Sequence, residues 1–61
     1  MEGDARIRDA QRIVSRQAGC SKEDALALMR DAARERSETI KFVAVEVIAG
    51  RIRFDRTGKR P

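Results

Sequence analysis

The chain has 61 residues, of which 41% are hydrophobic and 39% charged, and its formal net charge is +4 at pH 7. Histidine, tryptophan and tyrosine are absent and Cys20 is the sole cysteine. This composition excludes an intramolecular disulfide, a clustered zinc site and histidine-based acid–base or triad chemistry. In chain order, the first segment repeats apolar residues every three to four positions, at Ile7, Ala10, Ile13 or Val14, and Ala18, which predicts a helix over Ala5 to Ala18. Asp4 is placed to cap its start and Gly19 to end it as a left-handed residue. A second helix opens at Ser21-Lys22-Glu23-Asp24. There the Ser21 hydroxyl can accept from the Asp24 amide, and the acidic pair sits at the positive end of the helix dipole. Ala25, Leu28, Met29, Ala32 and Ala33 form its narrow, alanine-rich apolar stripe, and small side chains let neighbouring helices approach closely. Ser37 is the expected cap of a third helix with a core stripe of Ile40, Val43, Ala44, Val47 and Ile48, stopped by Gly50. The expected fold is therefore all-α, a compact three-helix bundle over residues 1–50 followed by a basic C-terminal tail over 51–61.

Size and charge restrict the function. A single core in a chain below ~70–80 residues supplies only ~3–5 kcal/mol, so marginal stability or support from a partner is expected, and a deep enzymatic cleft is not. No apolar run approaches the ~20 residues that cross a bilayer, and no signal-peptide apolar region follows Met1. With a lone thiol, these features point to a cytoplasmic protein with no membrane association and no cofactor. Residues 1–50 hold nine basic and nine acidic side chains, so the entire excess charge lies in the tail, where Arg51, Arg53, Arg56, Lys59 and Arg60 face only Asp55. Such a tail attracts phosphate backbones or an acidic partner, or else is simply solvated. Arg8, Arg12 and Arg16 fall four apart and form one basic stripe on the first helix, as Arg30 and Arg34 do on the second. Asp9, Asp31 and Glu35 are available to pair with them. Aromatic stacking platforms for single-stranded RNA are nearly missing, since the only aromatics are Phe42 and Phe54.

The stretch from Asp9 to Gly50 resembles the ANTAR output domain of bacterial transcription antitermination regulators. The resemblance lies in Ala10-Gln11-Arg12-Ile13-Val14, Gly19-Cys20-Ser21, Asp24-Ala25, Leu28-Met29-Arg30, Ala33 and Val43-Ala44 followed by Glu46-Val47-Ile48, which fall in register without an insertion. It spans about two thirds of the chain. It implies binding to structured RNA, usually tandem stem-loops in a transcript leader, with no bond made or broken and so no enzyme activity. Carried over to this chain, the contact set is Gln11, Arg12, Arg16, Arg30 and Arg34, with Ala10 allowing close approach and Ser37 serving mainly as a cap. Family members commonly follow a sensor domain and a dimerising coiled coil; residues 1–8 are too short for that coiled coil, so the expectation is either a small stand-alone member or a fragment whose full-length context supplies a sensor domain or partner protein.

Three positions depart from the family pattern. Gln11 stands where lysine is frequent, Leu26 where an aromatic is usual, and Ser37-Glu38 where a polar-basic step opens the third helix. Glu38 would repel a phosphate, so a second expectation stands beside the first, a protein-interaction or dimerisation module that has kept the fold without the RNA. Phe42, Val45, Ala49 and Ile52 recur on a face of the third helix distinct from its core stripe, with Phe54 close behind, and predict a homodimer interface. A helix-turn-helix DNA binder fits poorly, because a recognition helix needs polar and basic groups and Lys41 is the sole interior cation of this one. Cys20, just before the Ser21 cap, is expected to be a small buried hydrophobe stapled against Ala25.

Overall fold

A computed structural model describes residues 5–54 of the chain. It is an all-α, three-helix bundle: α1 spans Ala5–Ala18, α2 Lys22–Arg36 and α3 Ile40–Ile48, and each packs against the other two. Asp4, the expected cap of α1, lies outside the described residues, as does the tail from residue 55 onward.

The helix ends are built from local chemistry. Gly19 closes α1 at φ 68°, and the Cys20 N–H returns to the Ser15 carbonyl at 3.0 Å. The Ser15 hydroxyl in turn donates to the Cys20 carbonyl. Ser21, with extended backbone, accepts from the Asp24 N–H at 3.1 Å and so starts α2. Glu23 and Asp24 at that end, with Arg34 and Arg36 in the last turn, complement the helix dipole at both ends.

Ser37 does not cap the third helix. It adopts the left-handed conformation, φ 55°, ψ 42°, at the end of α2. Its N–H bonds to the Arg34 carbonyl at 3.2 Å, and the Glu38 N–H bonds to the Ala33 carbonyl at 2.8 Å. These two bonds make a Schellman closure, which satisfies carbonyls that α2 would otherwise leave open. Because residues 37 and 38 are used to finish α2, the start of α3 moves to Thr39, whose Oγ1 accepts from the Phe42 N–H at 3.1 Å. Gly50 then closes α3 at φ 83°, with its N–H on the Val47 carbonyl at 3.0 Å and the Arg51 N–H on the Glu46 carbonyl at 2.9 Å.

The core consists of Ala10, Val14, Ala25, Met29, Ala33, Val43, Ala44 and Val47, and half of these are alanine. Small residues bring the helices close together and keep the fully buried strip of each helix narrow, with Ile7, Ile13 and Ile40 half-buried at its margins. Leu28 and Ile48, expected inside, are consequently 36% and 45% exposed. Beyond α3 the chain turns back. The Ile52 N–H reaches the Glu46 carbonyl at 3.3 Å, Arg51 pairs with the Glu46 carboxylate at 3.3 Å, and the Phe54 N–H donates to Gln17 Oε1 on α1 at 2.9 Å. Ile52 and Phe54 pack against the core. The packed unit therefore continues through Phe54, past the boundary that Gly50 suggests.

Candidate functional site

The basic residues proposed for RNA contact are carried on two helices. Arg12 and Arg16 stand on the solvent side of α1, four residues apart and opposite the buried Ala10–Val14 line, and both are exposed. With Asp9, Ile13 and Ile48 they line an open groove of about 390 Å³ where α1 meets the end of α3. Its walls combine two guanidinium groups, the Asp9 carboxylate and two isoleucines, so it offers a net single positive charge beside apolar surface. Arg30 and Arg34 are exposed on α2 and do not line this groove.

Ion pairing leaves most of this charge accessible. Arg12 lies 3.9 Å from Asp9 and Arg34 lies 3.6 Å from Asp31, each pair one helical turn apart and more than half exposed at both ends. Pairs of that kind contribute little in water and exchange readily for another anion. Among the described residues no carboxylate pairs with Arg16 or Arg30.

Other expected contacts are placed elsewhere. Ala10 is completely buried, so it has no surface to set against RNA; its small size serves the approach of helix to helix. The Gln11 side-chain amide donates to the Lys22 carbonyl at 3.0 Å, tying the middle of α1 to the first turn of α2. Gln11 is thus a half-buried structural link, which spacing within one helix could not reveal. Ser37 is exposed, and its backbone closes α2 as described above.

The apolar face expected on α3 divides. Phe42 is 39% exposed and Val45 37% exposed, and Ala49 is exposed with them. Ile52 and Phe54 leave this face and pack on the core of their own chain, because the turn after Gly50 directs residues 51–54 back along α1. Ile48 takes their place at the edge of the exposed surface and extends it to the groove. Cys20 is free and half-buried, packed against the core margin, so it is a packing residue that retains some exposure.

Among the described residues no group of three or more histidine, cysteine, aspartate or glutamate side chains is arranged to hold a metal ion. Nor is any helix long and apolar enough to cross a membrane. Comparison of the chain with protein-family models, curated proteins and solved structures found no match in any of the three.

Proposed function

We propose that this chain is a small ANTAR-like RNA-binding domain that recognises stem-loops in a leader transcript and promotes antitermination in the bacterial cytoplasm. What supports the proposal, beyond the sequence resemblance, is the exposed arginine stripe of α1. Arg8, Arg12 and Arg16 follow one another at four-residue spacing on the face turned away from the core, and Arg30 and Arg34 add exposed charge on α2. Phosphate contacts of this kind position an RNA helix, while the Arg12–Arg16 groove with Ile13 and Ile48 offers room for a base that leaves the stack. No bond is made or broken, so the chain acts by occupancy rather than catalysis. Gln11 and Ala10 act by holding the bundle together, and the contact set reduces to Arg12, Arg16, Arg30 and Arg34.

The test is a salt-titrated shift assay with a tandem stem-loop leader RNA beside duplex DNA of equal length. Arg16→Ala and Arg30→Ala are each expected to weaken RNA binding and to lower the salt slope by about 1, with helical content unchanged. A chain ending at Phe54 keeps the packed segment and loses Arg56, Lys59 and Arg60, so it should flatten the salt dependence for RNA and DNA alike. Equal affinity for both nucleic acids, vanishing together as salt rises, would assign the binding to the tail alone. That outcome would favour the second reading, an interaction or dimerisation module, for which the specific observation is the exposed apolar side of α3.

A further inference from the structure

Phe42, Val45 and Ile48 follow one another three residues apart along an exposed side of α3, with Ala49 beside them, while the opposite side buries Val43, Ala44 and Val47. At Ile48 this strip runs into the groove against α1, where Ile13 continues the apolar surface and Arg12 and Arg16 stand on the other wall. The strip is not neutral. Lys41 is exposed on the same side, one turn before Val45 and two before Ile48. Beyond Phe42, the Glu46 carboxylate is mostly buried and is held by Arg51 at 3.3 Å, so the single acid of α3 is already matched. In the groove Asp9 offsets one of the two guanidinium groups, and no carboxylate pairs with Arg16 among the described residues. An apolar floor is thus edged with accessible positive charge.

That combination selects the occupant by its chemistry. A phosphate backbone would find the cations but would lay its charge over phenylalanine and valine, and a second copy would bring one positive edge against another. A helix with apolar side chains at i, i+3 or i+4, and i+7, and with carboxylates on its flanks, satisfies both halves of the surface. We propose that the α1–α3 face is the docking site of such an acidic amphipathic helix, supplied by a partner protein. Its apolar side lies on Phe42, Val45 and Ile48, and its carboxylates reach Arg12, Arg16 and Lys41 as charge-assisted hydrogen bonds. It packs as a fourth helix on the bundle, in the groove between two helices that already touch. The apolar strip is short, since α3 has nine residues and is about 13 Å long, so the contact is a weak and transient one. Coulomb attraction then supplies the speed of encounter and the orientation of the helix. The docking does not depend on RNA binding, but it occupies Arg12 and Arg16, so the helix and an RNA exclude one another.

The probe is a fluorescein-labelled helical peptide of about 15 residues, with leucine every three or four residues and glutamate on both flanks. Titrated with the full chain, its anisotropy is expected to saturate in the micromolar range and to weaken by about tenfold or more between ~50 mM and ~500 mM salt. Companion peptides with lysine in place of glutamate, or serine in place of leucine, should each bind at least about tenfold more weakly. Amide shifts of the isotope-labelled chain should gather on α3 and around Arg12 and Ile13. Phe42→Ser and Arg16→Glu should each cost about tenfold in peptide affinity, and because both residues are exposed, circular dichroism should report unchanged helix content. No binding of the glutamate peptide, equal binding of the lysine or the serine peptide, or shifts confined to α2 would each overturn the proposal. So would a stem-loop RNA whose affinity falls with Phe42→Ser, which would give the face to nucleic acid, or a wild-type dimer that Phe42→Ser dissolves in sedimentation, which would give it to a second copy. Peptide binding without RNA affinity would leave the docking standing and remove the RNA reading; RNA binding without peptide binding would do the reverse.

Discussion

At Ser37 the backbone sits at φ 55°, in the region where a β-carbon crowds the following carbonyl oxygen, and this is the one non-glycine residue with positive φ among those described. Its position ends α2, and glycine is the residue that takes such a place without that cost. Ser37→Gly should therefore stabilise the fold by about 0.5–1 kcal/mol, the relief of the left-handed strain less the greater freedom glycine has when unfolded. Gly50 is the converse case. It ends α3 at φ 83°, and a β-carbon added there would meet nothing within 4 Å, so only the backbone conformation opposes a side chain. Gly50→Ala should cost about 1 kcal/mol. Thermal unfolding followed by circular dichroism would check both, with shifts of about 4–8 °C per kcal/mol expected in a domain of this size.

A boundary residue matters most to a helix whose interior propensity is weak. α3 shows this most clearly, since a nine-residue run of Ile, Lys, Phe, Val, Ala, Val, Glu, Val and Ile has weak intrinsic preference for helix and forms because it is capped and packed. Thr39 supplies the cap through its bond to the Phe42 N–H, and Ser21 does the same for α2 through Asp24. Thr39→Ala and Ser21→Ala should each cost about 1 kcal/mol in urea unfolding. They lie on different helices and should add when combined. If Thr39→Ala proves neutral, the start of α3 is held by packing alone.

For the molecule as a whole, the distribution of side-chain size is the decisive feature. Half of the buried core is alanine, and Met29, Val14 and Val43 are its largest fully buried members, while Phe42, Leu28, Val45 and Ile48 stand outside. Truncating a buried methionine costs ~2–5 kcal/mol, which is comparable to the ~3–5 kcal/mol a single core of this size supplies. Met29→Ala is accordingly expected to leave the chain largely unfolded at room temperature by circular dichroism. Leu28→Ala, at an exposed position, should change the stability by less than ~1 kcal/mol. A fold held by so thin a core gains stability from any partner that binds only the folded form.

The three helices and most of their ends were legible in the sequence because they depend on neighbours close in the chain. Apolar spacing placed α1, Gly19 and Gly50 marked left-handed ends, and Ser21 with Asp24 marked a start; each involves residues within about one turn. Ser37 was misplaced because a left-handed serine and an N-cap serine look alike in a sequence, and only the bonds from residues 37 and 38 back to α2 separate them. The distances between helices decided the rest. Close packing across alanine sealed Ala10 inside and left Leu28 and Ile48 outside, directed Gln11 to the Lys22 carbonyl, and folded Ile52 and Phe54 back onto α1. Those are relations between segments far apart in the chain, where periodicity names the apolar face of each helix but cannot say how near the next helix will come.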